Sequence, residues 1–477
     1  MFYRTIIFLC LVAPLTIYAQ RFSGNPSSLK WKQINTDTAR IIFPVGLDTQ
    51  ALDVSGIVHT LAGTSQYTIG SKLRKIDIVL QNQTLISNGY VALGPYRSEF
   101  FLTPRQDNFE LGSLPWHKLL ALHEYRHVQQ YNNYRRGLSK IAYYLFGEQG
   151  QALANSSSVP DWFFEGDAVY QETIMSGQGR GRLPYFFNPY RSLWGAEKNY
   201  SWMKLRNGSY RDLVPDHYRL GYMMVAYGRE KYGDEIWKKI TDDAAAYKGL
   251  FYPLQRNLKK YTGEDFKLYR QHAIHHFNNT EEKISDSASL YGKSNIHFKA
   301  DEEFPQWVNE SEIIYLKSSY KEIPAFYIRD IKTNKERRLF PKRISIDNYF
   351  SYRNGKVVYS AYKPDPRWGW RNYGIVTIQD ISNGSTKVLT HKTKYLSPDI
   401  SADGKLVVAV NADPSGRNNL HVLNTGNGEL LQEIPNPQQF VFTQPKFVNN
   451  TSVVSPVRNT NGEMALGLFE INTGEYK

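Results

Sequence analysis

The residues best suited to do chemistry together lie in one short stretch, LLALHEYRHVQQYNNYRRG, from Leu119 to Gly137. It places His123 and His127 four residues apart, with Glu124 directly after the first. On a helix, positions i and i+4 share a face one turn apart, so both imidazoles could reach one cation. A glutamate beside them could take a proton from water and hand it on. A divalent cation would lower that water's pKa toward about 7. The same pattern arises on a solvated amphipathic helix with two unrelated histidines, and this stretch alone leaves both readings open.

A third ligand would separate them. Glu165, in WFFEGDAVYQE, is the best candidate, with 37 residues between it and His127. A carboxylate among Trp162, Phe163 and Phe164 is expensive to bury without a partner, and a cation nearby would give it one. The other reading is a glutamate facing water from the polar side of its helix.

The elements that must position these groups follow from turn and periodicity signals. Ser113 and Pro115 suit a helix start, Leu119, Leu120 and Val128 supply a buried stripe, and Gly137 suits a stop. ANSSSVP reads as a loop, Pro160 as the first turn of a second helix, and HYRLGYMMVAYGREKYG as a third. Helical patterns continue to about Phe277, and NNTEEKISDSASLYGKSN reads as polar linker sequence, with the linker between the two domains set at 286–295. Upstream, from about Leu29 to Pro104, ARIIFPV, KIDIVLQNQ and SEFFLTP predict a mostly extended region.

HEYRH followed by WFFEGDAVYQE resembles the gluzincin zinc peptidases, in particular the thermolysin-like and aminopeptidase-like group whose second motif is W-x-x-E-G-x-A. The resemblance implies an α+β zincin-like catalytic domain over residues 20–285, β-rich first and then helical. It also implies one Zn2+ held by His123, His127 and Glu165, a water in the open position, and Glu124 as general base and acid. The spacing between the motifs exceeds that usual in aminopeptidases, implying an inserted loop around LSKIAYYLFGEQGQALANSSS. Tyr218 in HYRLGY matches a Y-x-x-G segment whose tyrosine stabilises the oxyanion. Tyr222 and His217 are its local competitors, and with 34 tyrosines in the chain a purely structural Tyr218 is the alternative.

The Gly-x-Met-Glu-Asn strand of the aminopeptidases is absent. Glu99, in YRSEFFLTP, could occupy an analogous edge, but its neighbours do not match, so an endopeptidase is expected rather than an aminopeptidase. Asp161, Asp167 and Glu172 are the candidates to orient the imidazoles. His272, His275 and His276 have helical spacing without a carboxylate among them and read as the surface end of a helix. Tyr125 and Arg126 carry no assigned role.

Beyond Phe298 a repeat replaces the helices. NESEIIYL, RNGKVVYS, ADGKLVVAV and NNTSVVSPV align on Ile313, Val357, Leu406 and Val453, at separations of 44, 49 and 47 residues. That period suits one four-stranded propeller blade per repeat. Each repeat closes on a strand running into a polar turn: IRDIKTN, IQDISNG, VLNTGNG and EINTGEY. SPDISADGKLVVAV resembles the blades of TolB-type propellers over about residues 296–477. This implies an all-β propeller-like domain of about four blades that binds a protein partner or the substrate. Six to eight blades are usual, so the repeats are expected to continue beyond the sequence given, a small four-bladed ring being the alternative.

At the other end, MFYRTIIFLCLVAPLTIYAQ sets Arg4 before a 14-residue apolar run, Ile6 to Ala19. A span needs roughly 20 such residues, so residues 1–19 read as a secretory signal peptide and the mature chain as free of transmembrane spans. Export to the periplasm, the outer-membrane surface or the medium is expected. The one cysteine, Cys10, lies inside this segment, so no disulfide supports the mature fold. The formal charge of +13 is spread in short groups, which argues against a nucleic-acid-binding face. The expectation is therefore an exported zinc metallopeptidase acting on peptide or protein substrates. The alternative is a catalytically silent envelope scaffold that uses its propeller.

Overall fold

The computed structural model describes residues 24–280 and 298–477, so the expected signal segment and the expected linker 286–295 lie outside the described residues. An α+β part comes first. Its sheet comprises β1 (Trp31–Asn35), β2 (Ala39–Pro44), β3 (Ile76–Gln81), β4 (Ser87–Ala92) and β5 (Arg97–Leu102), in the order β1-β2-β3-β5-β4. β2, β3 and β5 run parallel, while β1 and β4 are antiparallel strands at the two edges. Alternation sets the faces: Ile41, Phe43, Ile78 and Leu80 are buried, whereas Arg40 and Asp77 pair across β2 and β3 on the other side, Nε to Oδ1 at 2.8 Å.

The stretch expected to be mostly extended is interrupted by α1 (Asp48–Thr64). Val54, Ile57 and Val58 lend the segment a strand-like composition. Ala51, Val54, Val58, Leu61 and Ala62 are nonetheless buried at helical spacing. Parallel pairing of β2 with β3 also requires a crossover, which a hairpin cannot supply.

The helices that follow include α2 (Trp116–Asn133), α3 (Gly137–Ser158), α4 (Asp161–Ser176), α5 (Pro184–Gly195) and α6 (His217–Tyr232). They continue through α7 (Ile236–Ala245), α8 (Pro253–Thr262) and α9 (Phe266–Thr280). α2 joins two cores. Leu120, Ala121, Tyr125 and Val128 pack with the sheet and α1, whereas Trp162, Phe163, Met223, Met224 and Trp237 form a second core among α4, α6 and α7.

Two boundaries differ from the sequence reading. α2 ends at Asn133, and Gly137 opens α3 instead, with φ of +46° and no room for a Cβ, which would lie 2.5 Å from Ala246 O. The expected inserted loop, ANSSSVP included, is helical through Ser158, broken only at Gly147. Its serines are accommodated because Ser156 and Ser157 donate back to Leu153 O, at 3.1 and 2.8 Å.

The second part is all β: four successive antiparallel sheets, each four-stranded. Ile313, Val357, Leu406 and Val453 each lie on the long strand next to the opening strand of their sheet. Consecutive sheets stack face to face. Ile314 and Phe326 pack with Phe350 and Tyr359, Val358 and Val376 with Ile400 and Val407, and Val408 and Leu420 with Phe442 and Val453. The chain is thus an α+β part followed by a propeller-like β part. No helix among the described residues is long and apolar enough to cross a membrane.

The two parts meet at the loop feeding β4. Leu85 is buried in the core of the third and fourth sheets. Its N–H donates to Asn372 Oδ1 at 2.6 Å, Asn372 Nδ2 donates to Thr84 Oγ1 at 2.9 Å, and Lys394 Nζ donates to Gln83 O at 2.5 Å.

Candidate metal centre

α2 and α4 cross so that His123, His127 and Glu165 converge, their donor atoms all within 4.8 Å of one another. Glu165 Oε2 lies 3.2 Å from His123 Nε2 and 3.4 Å from His127 Nε2. A tetrahedral zinc site with bonds of 2.0–2.1 Å places its ligand atoms about 3.3 Å apart, so the spacing and the two-imidazole, one-carboxylate donor set fit this metal. Among the described residues this is the one such group of three.

The ring orientations are set by their other nitrogens. His123 Nδ1 lies 2.9 Å from both Glu172 Oε2 and Arg180 Nη2; the guanidinium cannot accept and already donates to Glu172, Nε to Oε1 at 2.7 Å and Nη2 to Oε2 at 2.9 Å, so the carboxylate is the acceptor for an Nδ1–H. Gln130 Nε2 donates to Phe164 O and to Asp167 Oδ2, each at 3.0 Å. Its Oε1 must then accept from His127 Nδ1–H, 2.8 Å away. Each Nε2 then faces Glu165 and is the nitrogen whose lone pair would be offered to a metal in place of its proton.

Below the ligands, fully buried Asp167 ties three helices together. Arg126 of α2 donates Nε to Oδ2 at 2.6 Å and Nη2 to Oδ1 at 3.0 Å, and Arg229 of α6 donates to Oδ1 at 2.9 Å. This gives Arg126 a positioning role, while Tyr125 is a core residue beside the sheet. The glycines of both later motifs are steric necessities. A Cβ on Gly221 would lie 1.8 Å from Trp162 O, and one on Gly166 would lie 2.1 Å from Gly221 C. That close crossing of α4 and α6 brings Tyr218 beside Glu165.

A cavity of about 390 Å³ opens above the cluster, lined by His123, Glu124, His127, Glu165 and Tyr218, and on one side by residues 88–91 of β4. Gly89 lies over Glu124, where a Cβ would come within 2.8 Å of Glu124 Oε1. The Tyr218 ring stacks 6.4 Å from that of His123, whereas Tyr222 is packed against Phe186 and Phe187 outside the cavity, and His217 does not line it. Asp161 also lines the cavity.

The electrostatics mark this as a place for positive charge. Burial and Arg180 disfavour the His123 imidazolium, yet its hydrogen bonds to the Glu165 and Glu172 carboxylates prevail and lift it to about 9. Burial would raise Glu165, but the two histidines hold it far below the ordinary carboxylate range. Glu172, also buried, is held at about 2 by Arg180 and His123. Glu124 differs: burial dominates and raises its carboxyl, as suits a proton acceptor that must also give the proton back. Burial, with Glu165 nearby, raises the Tyr218 hydroxyl, keeping it a donor.

The remaining sequence candidates lie elsewhere. Glu99 is buried on β5 and accepts from Tyr90 at 2.5 Å, Arg97 at 2.9 Å and Gln81 at 3.1 Å, so it faces no ligand space. His272 and His276 pair with Glu264 and Glu230, carboxylates from other segments, at 3.0 and 3.1 Å. Gln130 and Arg180 were not foreseen. The first stands three residues after His127 on the same helix, a spacing that signals it; nothing in the sequence signals the second.

No known protein family matches the chain, and no curated protein does. Among solved structures it is similar to TolB from Acinetobacter baumannii, at 17% identity over 37% of this chain and 43% of that one, with a TM-score of 0.30. It is also similar to a puromycin-hydrolyzing peptidase from Mycobacterium tuberculosis, at 9% identity over 37% and 28%, with a TM-score of 0.28. A third is the β-propeller domain of the Trilobed protease from Pyrococcus furiosus, at 14% identity over 37% and 56%, with a TM-score of 0.25. The chain spans less than two thirds of the length of each. Likenesses this slight carry no argument about the cluster of His123, His127 and Glu165.

Proposed function

We propose that the chain is an exported, zinc-dependent peptidase that cleaves within extended peptide segments. The observation that carries this reading is the convergence of His123 Nε2, His127 Nε2 and Glu165 Oε2 beneath an open cavity that also holds Glu124. A zinc ion bound by these three residues would supply Lewis-acid polarisation of the scissile carbonyl and make hydroxide accessible near neutral pH.

The chain's own groups account for the rest. Glu124 takes the proton of the attacking water and passes it to the leaving amine, and the upward push of burial on its carboxyl favours the return of the proton. Tyr218 donates a hydrogen bond to the developing oxyanion. β4 is the outermost strand of its sheet, paired only with β5, and residues 88–91 face the cavity. An extended substrate adding to that free edge would run its backbone across the ligand cluster, which favours a peptide. The β part would bind a protein partner or narrow access.

The test is digestion of a peptide library by the intact chain, with and without a zinc chelator. Cleavage that stops with chelator and returns with zinc supports the proposal. Cleavage indifferent to chelator, or none by zinc-loaded protein, overturns it. Zinc-free protein that still binds other proteins through the β part would favour the scaffold reading.

A further inference from the structure

Between Gly137 and Phe146, α3 is turned inside out. Its one buried side chain there is Ser139, whose hydroxyl donates to Ala245 O at 2.7 Å. Leu138, Ile141 and Leu145, at i, i+3 and i+7, form its solvent face with Tyr144 and Phe146, at 41–72% exposure. The segment after α7 meets this face at Ala246, whose O accepts from Leu138 N at 3.5 Å, and Leu250, Phe251 and Tyr252 further along it are exposed too. Apolar residues at this spacing ordinarily pack against a core, and a contiguous exposed patch marks an interaction surface.

The rim of the patch is cationic. Arg135, Arg136 and Lys140 lie on or beside the first turns of α3, with Lys72 close by and Lys248 on the adjacent turn. Burial, followed by repulsion from Arg136 and, against the pull of Asp242, from Lys140 and Arg135, pushes the Lys72 ammonium down. Asp242 offsets Arg136 and Asp243 offsets Lys248 and Lys260, while Glu148 pairs with Arg74, so the surplus positive charge of the rim rests on Arg135, Lys140 and Lys72.

We propose that this face docks on an anionic phospholipid surface, its apolar side chains entering the acyl boundary and its lysines and arginines meeting the headgroups. A second copy fits less well, because a self-complementary contact would set one cationic rim against the other. The far half of α3 supplies Ala152 and Ser156 to the cavity wall, so docking would hold the metal centre close to the membrane. The proposal does not depend on hydrolysis.

The experiment is co-sedimentation of the intact chain with phosphatidylglycerol–phosphatidylcholine vesicles and with phosphatidylcholine alone. Binding to the anionic vesicles, weakened by salt, is expected. Ile141→Ser, Leu145→Ser and Phe146→Ser combined should reduce it at least about a hundred-fold, and Lys140→Gln about five-fold. Because these side chains are exposed, the variants should melt like the parent. Tyr144→Trp, which keeps the patch, should add an indole emission that shifts to the blue on anionic vesicles only. Absence of binding, equal binding by the triple variant, an emission from the Tyr144→Trp variant that vesicles leave unshifted, or a solution dimer that the triple variant abolishes would each overturn the proposal.

Discussion

Gln130 offers the sharpest test of how the centre is built. Its side chain makes three buried bonds: to Phe164 O and Asp167 Oδ2 at 3.0 Å each, and to His127 Nδ1 at 2.8 Å. Gln130→Leu keeps much of the volume but strands the imidazole N–H, whereas Phe164 O keeps its partner within α4. A buried polar group left unpaired costs about 1–3 kcal/mol. With Asp167 still held by Arg126 and Arg229, the metal-free protein should lose about 2 kcal/mol, a few degrees in Tm. Losing the partner that orients a ligating imidazole weakens metal binding about 10- to 100-fold, or about 1.4–2.7 kcal/mol. Gln130→Glu separates the two effects, since a carboxylate still accepts from His127 Nδ1–H but cannot donate to Phe164 O or Asp167 and sets a second buried carboxylate against Asp167. It should be destabilised yet bind zinc close to normally. The assay pairs thermal denaturation in chelator with zinc titration against a chromophoric competitor. A Gln130→Leu protein that melts earlier but binds zinc as tightly as the parent would refute the reasoning.

Other outcomes follow from single contacts. Gly221→Ala puts a Cβ 1.8 Å from Trp162 O, a backbone atom that cannot swing aside, and thermal denaturation should show a loss of about 3 kcal/mol or more. Gly89→Ala presses instead on the side-chain ends of Glu124 and Leu120, at 2.8 Å each, so the fold should survive while kcat falls about ten- to a hundred-fold with KM little changed. Burial, aided by Arg371, holds the Lys394 ammonium down at about 7 against an ordinary 10.5. The unfolded chain therefore binds more protons between those pH values, so this lysine opposes folding fully below pH 7 and progressively less above it. Chemical denaturation should show the parent gaining about 2–3 kcal/mol on Lys394→Met between pH 7 and 9. A constant difference would contradict the assignment.

What the sequence made legible was chemistry carried by local spacing. His123 and His127 need only one helix to face the same way, and Glu165, which converges with them, stands out as a costly carboxylate among aromatics. Glu172 could be named only as one of three carboxylates, since choosing it required knowing how α4 crosses α2. Arg180 was invisible, because a turn beyond α4 folds it back onto Glu172. Two helices were misread for opposite reasons. α1 has β-branched residues that favour a strand locally, and the parallel sheet overrides them. The first half of α3 hides because its apolar face meets solvent, so no buried stripe announces it, and Gly147 and the serine run look like a loop. In the β part, the repeat spacing located the long strands, while the anchoring of Leu85 between sheets came from residues 287 apart in sequence, Leu85 and Asn372, which no local pattern reveals.

The most direct measurement is made on Glu124→Gln, by metal analysis of the purified protein alongside peptide digestion. Because Glu124 faces the cavity without belonging to the ligand triad, the variant should retain one zinc per chain and lose hydrolysis by at least about a thousand-fold. A variant that keeps zinc and still cleaves at the parent's rate would contradict the account, as would a parent chain that binds no zinc.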